Sequence, residues 1–471
     1  MAPPCDLLIA GATVVTEAGL RETNVAVSKG IVEAVDDGLR HAARTIDAEG
    51  LLLLPGGVDP HTHLNSVWPF PDERRPADDF HTGTRAAAAG GITTVCDFVY
   101  HLGDETLLEA TNRVVDAATA DACIDYSLHI VVSELKPSFV DEIEPLTNSG
   151  YPSFKFYTQL PDFVANAPRY IDFLQRIGDA GGIAMFHCED ASIIEYCCGV
   201  LASAGKTSPR DYPASRPPEV EESATAWALN LAAVARVPAY IVHLSSAVAL
   251  ELALDARHRG SDVFVETRPL YLHLTDDCFD ASDAEAARYI GTPPLRSGTD
   301  RERLWDGLAG ADIDAVGSDH VGFTGDQKYQ SGDTFQTVPK GVANMENMLA
   351  MLYSEGVREG RISVEQLADL TATRPAKIFG LYPQKGVIRE GSDADFCLLD
   401  PEEQRTVDGK RLHSAADFDL FEGLEVTGWP VVTVSRGEVV YENGAVRAEG
   451  GRGQLVKGNR YSDALSRKEP E

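Results

Sequence analysis

The chain has 471 residues, 44% of them hydrophobic, and a formal charge of −32 at neutral pH. The length predicts one large domain with a smaller one, and the charge argues against nucleic acid and anionic membrane surfaces as partners. No segment is long and apolar enough to span a membrane, residues 1–6 lack a secretory signal, and the eight cysteines form no C-x-x-C pair. We therefore expect a cytoplasmic protein with reduced thiols.

The first part of the chain predicts short strands separated by turns rich in glycine and charge. They cover residues 7–9, 13–15, 24–27 and 31–35. From about residue 52 onward, eight short apolar runs alternate with segments of helical pattern. The runs cover residues 52–58, 93–98, 126–132, 153–157, 183–187, 239–244, 262–267 and 313–317. Eight such alternations predict a closed parallel barrel, the (β/α)8 TIM-type fold.

Helical segments between these runs include residues 106–118, 169–180, 219–235, 247–259 and 301–308. After residue 379 the strand pattern returns, at residues 396–399, 431–434 and 439–441. Because the early and late strands bracket the barrel, we expect them to pair into one small β-domain. Beyond about residue 450 the chain is polar, and we expect a tail that is disordered or extends over a neighbouring chain.

The pair His61 and His63 follows the first apolar run directly. In an extended segment, residues i and i+2 point the same way, so both imidazoles face one point at a strand's C-terminal end. Active sites of this barrel lie at that end. Alone, however, the His-x-His motif is a weak indication of a metal site.

Other candidates lie at the ends of other runs. His187 ends the fifth run, His243 the sixth, and Asp319 follows the eighth. Taken singly, a histidine there is usually a packing residue and an aspartate usually caps a helix. Lys155 lies between two phenylalanines in the fourth run, and burying an unpaired ammonium is costly. Because all these side chains are delivered to the same rim, we interpret them as one site.

Lys155 is the most informative of these residues. Burial lowers the pKa of a lysine and makes the neutral amine available. A neutral amine can add carbon dioxide and become a carbamate, an anionic oxygen ligand able to bridge two cations. Four histidines, one aspartate and such a bridge suit a pair of metals such as Zn²⁺, about 3.5–4 Å apart.

With these residues in place, the chain resembles the dihydropyrimidinase and D-hydantoinase family of the amidohydrolase superfamily. The matching motifs are Pro-Gly-Gly-Val-Asp-Pro-His-Thr-His-Leu (55–64), Ser-Phe-Lys (153–155), His-Leu-Ser-Ser-Ala (243–247), Thr-Pro-Pro-Leu-Arg (292–296), Ser-Asp-His (318–320), Arg-Pro-Ala-Lys-Ile-Phe-Gly-Leu (374–381), Gly-Ser-Asp-Ala-Asp (391–395) and Phe-Glu-Gly-Leu-Glu-Val-Thr-Gly (421–428). The resemblance implies a metal-dependent hydrolase barrel over residues 56–382. It implies a β-sandwich from residues 1–55 and 383–450, followed by the polar tail 451–471, and a homotetramer or homodimer.

The resemblance also assigns roles to the candidate residues. It implies that His61 and His63 hold one cation with Asp319, that His187 and His243 hold the other, and that carboxylated Lys155 bridges both. A hydroxide shared by the metals would attack the ring amide of a hydantoin, dihydropyrimidine or cyclic imide. Asp319 would act as general base and then pass the proton to the leaving nitrogen. All six ligand positions are present, which speaks against a non-catalytic scaffold.

The substrate pocket departs from the family pattern. Leu160 stands where the family usually has a tyrosine that binds substrate, and the direction of the nearby Tyr157 is open. Lys340 stands for the usual asparagine, Thr292 for the usual serine, and Arg268 for the usual cysteine. We hypothesise that the missing tyrosine leaves weak activity on the usual substrates of the family.

The two added cations suggest a substrate that carries a carboxylate. Lys340, Arg268 or both would bind it, although an internal salt bridge, for instance of Arg268 with Glu266, explains such residues equally well. The alternatives within the hydrolases are an allantoinase-like or dihydroorotase-like enzyme and a hydrolase of a carboxylated lactam. Trp68 and Phe70 suggest a hydrophobic lid or loop packing, and His320 either orients Asp319 or faces solvent.

Overall fold

The computed structural model describes residues 5–38, 40–64 and 74–461. The predicted lid residues Trp68 and Phe70 lie outside these ranges. In chain order the strands are β1 Cys5–Thr16, β2 Gly19–Ser28, β3 Ile31–Asp36, β4 Ala42–Asp47, β5 Leu52–Pro55, β6 Gly57–Thr62, β7 Ile92–Val99, β8 Asp125–Val131, β9 Ser153–Tyr157, β10 Ile183–His187, β11 Ala239–Ile241, β12 Val263–Thr267, β13 Ala315–Val316, β14 Phe396–Thr406, β15 Glu425–Ser435, β16 Glu438–Glu442 and β17 Ala445–Val446.

The helices lie mainly between the barrel strands. They are α1 Phe80–Ala89, α2 Leu107–Asp121, α3 Ile143–Asn148, α4 Pro161–Ala165, α5 Ala167–Asp179, α6 Ala191–Ser203, α7 Tyr212–Ser215, α8 Pro218–Ala235, α9 Ala247–His258, α10 Pro269–His273, α11 Asp283–Arg288, α12 Gly298–Ala309, α13 Gly325–Lys328, α14 Met348–Met351, α15 Val364–Ala368 and α16 Arg374–Ile378. Two π-helical stretches, Leu352–Val357 and Asp369–Thr373, continue α14 and α15. Within the described part of the chain, no helix combines the length and the apolarity that a membrane crossing needs.

Strands β6 to β13 form one sheet of eight parallel strands in chain order. The sheet approaches closure where Thr62, at the end of β6, bridges in parallel to His320, just after β13. The helices pack outside it through apolar faces, as in α5, where Tyr170, Phe173, Leu174 and Ile177 are buried at helical spacing. This confirms the predicted barrel, and it places the ends of β6, β9, β10 and β13 at one rim.

The other strands form a second sheet with the order β17-β16-β15-β14-β5-β1-β2-β3, and β4 pairs with β1. Both chain ends meet where β14 runs antiparallel to β5, with Leu53 opposite Leu398. The prediction of one β-domain from both ends is therefore confirmed. The runs 7–9 and 13–15 are a single strand, β1, which is irregular between Ile9 and Ala12.

The prediction that residues 52–58 form a single barrel strand was wrong. The first part of this segment is β5 in the outer sheet, and its last part opens β6 in the barrel. Gly56 lies between them, where an added Cβ would come within 2.3 Å of Thr93 Oγ1. Both parts are buried, so the apolar pattern runs on without a visible break. We propose a domain limit here, at residue 55.

The first part of the predicted tail packs against the barrel of its own chain. Gly453 donates its backbone N–H to Ala122 O at 2.8 Å, and Val456 donates to Tyr126 O at 2.7 Å. Tyr461 donates in the same way to Gly181 O at 2.8 Å. Residues 453–461 thus run across the N-terminal ends of barrel strands, because these ends offer backbone acceptors. Residues 462–471 lie outside the described ranges.

A buried ammonium joins the two units. Lys385 Nζ lies 2.6 Å from Asp125 Oδ2, at the start of β8, 2.7 Å from Asp395 Oδ2 and 2.9 Å from Asp393 Oδ2. All four side chains are buried, and Arg436 Nε also donates to Asp125 Oδ1, at 3.0 Å. The lysine, together with Arg436, therefore reduces the repulsion among three carboxylates in a region of low dielectric.

We expect K385M to lower the free energy of unfolding by about 3–5 kcal/mol, because it leaves buried carboxylates without their cation. Denaturant titration followed by circular dichroism measures the loss. The exposed Lys206 gives a matched control, since K206M removes the same charge from the surface. An equal effect of both substitutions would contradict the structural role of Lys385.

Candidate metal centre

The first cluster of the site joins β6 to the loop after β13. Nε2 of His61 lies 3.2 Å from Asp319 Oδ1, and Nε2 of His63 lies 3.1 Å from the same oxygen. One ligand atom from each of these three residues lies within 4.8 Å of the other two, and all three residues are buried. The sequence prediction that this strand end directs two imidazoles to one point agrees with this geometry.

The second cluster lies at the ends of β10 and β11. His187 Nδ1 and His243 Nε2 face each other at 2.9 Å, a separation that one cation could share between them. The ring centroids of His61 and His243 are 5.3 Å apart, so the two clusters are neighbours. Burial lowers the pKa of both His187 and His243, which favours the neutral imidazole that binds metal.

Lys155 supplies the side chain between the two clusters. It is fully buried, and its Nζ has no hydrogen-bond partner among the described residues. The nitrogen lies 4.8 Å from the ring centre of Phe98 and 5.1 Å from that of Tyr157. Burial lowers the pKa of Lys155 to about 8. An orphaned buried amine beside two ligand clusters fits a modified lysine better than a free ammonium.

Two of these residues have an unusual backbone conformation. His243 has φ of +39° and Asp319 has φ of +46°, in the left-handed region that side chains other than glycine rarely adopt. The strands β11 and β13 are also shorter than the predicted runs, because the chain leaves the ladder before these residues. Such strain concentrates at functional sites, where it directs a side chain inward.

Buried carboxylates hold the histidines in place, a role that the sequence did not predict for them. Glu266 Oε1, on β12, accepts from His61 Nδ1 at 2.7 Å, and Glu189 Oε2 accepts from His187 Nε2 at 2.8 Å. A carboxylate behind a metal-binding histidine fixes its tautomer and orientation. A local signal existed for Glu189, because it follows His187 by two residues.

His320 orients the neighbouring backbone and does not face solvent. It is buried, and its Nε2 donates to Asp78 Oδ2 at 2.9 Å. Asp78 also accepts from the backbone N–H of Ala415 at 2.8 Å. Asp319 directly precedes this anchored histidine, and although burial raises the pKa of Asp319, Arg268 and His61 hold it well below the usual range. Asp319 is therefore a carboxylate at neutral pH.

The donor set fits divalent cations of borderline character, because imidazole and carboxylate ligands converge at both clusters. A second group of acidic residues, Asp125, Asp393 and Asp395, is equally compact. Lys385 already provides the positive charge there. Electrostatics therefore favours a metal at the rim of the barrel and disfavours one at the acidic group.

A cavity of about 240 Å³ opens onto the clusters. The described lining residues are His63, Lys155, Tyr157, Gln159, Leu160, His187, Arg216, His243, Thr292, Asp319, Val321, Lys340 and Gly341. Four of the five predicted substrate-binding residues belong to it. Tyr157 bonds its hydroxyl to that of Tyr100, and Thr292 Oγ1 donates to Glu189 Oε2 at 2.6 Å. Lys340 Nζ donates to Gln336 O at 2.7 Å.

The fifth, Arg268, is placed elsewhere, and its predicted contact with substrate does not fit the structure. Its side chain is 0% exposed, and Nη1 lies 3.0 Å from Asp319 Oδ2. Nε donates to Ser318 O at 3.2 Å. The internal salt bridge considered as the alternative is therefore present, although the partner is Asp319 and not Glu266. Arg268 lies behind Asp319, so it acts on that carboxylate from the side away from the cavity.

The chain is similar to known proteins both in sequence and in structure. The profile of the Amidohydrolase family matches residues 52–149 and 216–440. The D-hydantoinase of Ralstonia pickettii is 36% identical over 459 residues, which cover 97% of this chain and 99% of that protein. The dihydropyrimidinase of Brevibacillus agri has a similar structure, with a TM-score of 0.91 and 35% identity over 96% of this chain and 99% of its own. The L-hydantoinase of Arthrobacter aurescens gives a TM-score of 0.88 at 31% identity over 96% and 100%.

Proposed function

Since this chain belongs to the amidohydrolase family, we propose that it hydrolyses the ring amide C–N bond of a small cyclic substrate. Hydantoins, dihydropyrimidines and cyclic imides are the substrate classes, and relatives named D-hydantoinase and dihydropyrimidinase support them. The observation that carries the proposal is that two neighbouring ligand clusters, His61, His63 and Asp319 and the pair His187 and His243, meet at one cavity. Lys155 lines the same cavity, and its Nζ has no hydrogen-bond partner in the described part of the chain.

We propose that two divalent cations, Zn²⁺ by the chemistry of the donors, occupy the two clusters, with Lys155 carboxylated between them. When bound, they supply an activated hydroxide and polarise the amide carbonyl. The chain's own groups then orient the substrate and transfer protons. The ionised Asp319 accepts a proton at Oδ1 or Oδ2 and returns it to the leaving ring nitrogen. Neutral His63, whose pKa burial lowers to about 4, remains a ligand throughout.

The lining of the cavity bears on substrate preference. Leu160 faces it with an aliphatic side chain and cannot donate a hydrogen bond to an oxyanion. We infer weak turnover of dihydrouracil compared with family members that carry a tyrosine here. Enzymes of the allantoinase or dihydroorotase type remain the second candidates, because Lys340 lines the cavity and suits a charged substrate.

The test of the proposal is ring opening by the metal-loaded protein. We expect zinc-loaded protein to convert hydantoin, dihydrouracil or succinimide to the open-chain acid, with loss of activity on chelation and recovery on adding Zn²⁺. Liquid chromatography of the products measures it, and elemental analysis gives the metal content. Protein that binds two cations per chain yet opens none of these rings would contradict the proposed function, and a metal-free protein would favour the scaffold alternative.

We further propose that the chain assembles into a homotetramer or homodimer in the cytoplasm. Helix α6 supports the assembly, because it carries Ile193, Ile194, Val200 and Leu201 yet has no buried residue, and its Tyr196 is 73% exposed. Such an apolar surface favours contact with another protein chain. All eight cysteines are unpaired, as a reducing compartment requires.

A further inference from the structure

One cation in the cavity, Arg216, has no role among the residues assigned so far. It lies between α7 and α8, and its side chain is 16% exposed. Nη1 approaches Glu189 Oε2 at 3.0 Å, but neither Nη1 nor Nε has a hydrogen-bond acceptor of good geometry in the described part of the chain. Donors of a guanidinium that stay unpaired in a nearly buried position are costly. Arg216 lines the cavity, so the exposed part of its side chain can meet a ligand that brings an acceptor.

The position of Arg216 is fixed before any ligand arrives. Its backbone carbonyl accepts from Arg296 Nη1 at 2.6 Å, and its guanidinium lies 5.7 Å from the ring centre of Tyr212. Arg296 is held in turn by Glu221 Oε2 at 3.2 Å. A prearranged guanidinium loses little entropy on binding, and its fork matches both oxygens of a carboxylate.

The charges around the cavity also favour an anionic ligand. Apart from Lys155, which the proposed function makes an anionic carbamate, two of the described lining residues are cationic, Arg216 and Lys340, and one, Asp319, is acidic. Asp319 is already contacted by His61, His63 and Arg268. Glu189, behind the lining, offsets one positive charge, and Lys340 adds another on a different loop. Two cationic side chains in one cavity stand out in a chain of net charge −32.

We propose that Arg216, together with Lys340, forms an anion subsite that selects cyclic amides with a carboxylate substituent. This inference rests on the proposed function, because it names the substrate class of the same cavity. Arg216 binds the carboxylate through the part of its guanidinium that faces the cavity, and Lys340 contributes a point charge from another loop. The subsite orients the ring and takes no part in bond cleavage, so both residues determine specificity.

The experiment compares two substrates that differ mainly in charge, 5-carboxymethylhydantoin and its neutral amide, 5-carbamoylmethylhydantoin. We expect the zinc-loaded enzyme to prefer the carboxylate by at least about tenfold in kcat/KM, the scale of a charge-assisted hydrogen bond. R216Q should abolish this preference, mainly through KM for the carboxylate, and K340Q should reduce it. The exposed Arg210 and Lys206 give matched controls, R210Q and K206Q, which should keep the wild-type ratio.

Three further measurements keep the outcome decisive. Metal content and melting temperature of each variant show whether loss of Arg216 disturbs the Glu189–His187 contact. The variant K340Q tests the subsite without changing Arg216. Titration calorimetry of both hydantoins measures the affinity ratio even if neither ring opens, so failure of catalysis is separable from failure of selectivity. Equal kcat/KM and equal affinity for the two compounds in the wild type, or an equal loss for both in R216Q, would overturn the subsite.

Discussion

Replacing Lys155 with alanine is expected to reduce hydrolysis by about 10³-fold or more, because the variant loses the anionic bridge between the two clusters. Removing a metal-assisted nucleophile costs several kcal/mol of transition-state stabilisation, and each 1.36 kcal/mol is about tenfold in rate. Steady-state ring opening and metal content per chain measure the effect. The buried setting of Nζ predicts that K155R will not restore activity, since a guanidinium cannot take up carbon dioxide.

Chemical rescue separates the carbamate from a purely structural role of Lys155. The space that K155A leaves beside Phe98 and Tyr157 can admit a short carboxylic acid, so added acetate or propionate should restore part of the activity. Isotope-labelled bicarbonate should give a carbamate resonance in the wild type that K155A lacks. The exposed Lys410 provides the control K410A, which should change neither rate nor metal content. A wild-type rate in K155M, whose side chain cannot be carboxylated, would rule out the bridging role.

The second large effect is expected for Asp319. D319N keeps the shape of the side chain but removes the base that accepts and returns the proton, and we expect kcat to fall by about 10²–10⁴-fold. Because Arg268 and His61 hold the pKa of Asp319 well below its usual range, the carboxylate stays ionised from neutral pH down to mildly acidic pH. The acidic limb of the wild-type rate profile should therefore report protonation of other groups.

Metal affinity helps to interpret this variant, because Asp319 is also placed as a ligand. Competition with a chelator should show weaker binding in D319N, and saturating Zn²⁺ should restore occupancy without restoring kcat. The exposed Asp326 gives the control D326N, with the same change of charge seven positions further on. If saturating metal returns D319N to the wild-type rate, Asp319 is a ligand alone and the proton transfer must be assigned elsewhere.

The contrast between Arg268 and Lys340 shows what a local sequence pattern cannot predict about a site. Both substitute for uncharged residues in the family pattern, and both were considered as carboxylate ligands on the same grounds. In the structure Arg268 is fully buried against Asp319, whereas Lys340 lines the cavity. Spacing along the chain does not specify on which side of the rim a long side chain lies, because that depends on its packing against distant segments.

The carboxylates and the unassigned arginine show the same limit. Glu189 lies beside His187 in sequence, but Arg216 meets Glu189 from a loop after the next two helices. The fold of that loop, including the bond from Arg296 to the Arg216 carbonyl, creates the contact. A single sequence carries no signal for it, since a solvent-exposed arginine in a loop has the same local pattern.

The sequence by itself determined the barrel and the six candidate ligands through short-range patterns, and it indicated the β-domain because the early and late strands bracket the barrel. Alternating apolar runs specify strands, and parallel strands carry their terminal residues to one rim. Only the tertiary structure decided the break at Gly56, the docking of residues 453–461, the orphaned state of Lys155 Nζ and the lining of the cavity. These features depend on distances between segments far apart in the chain, which burial and hydrogen bonding set only after folding.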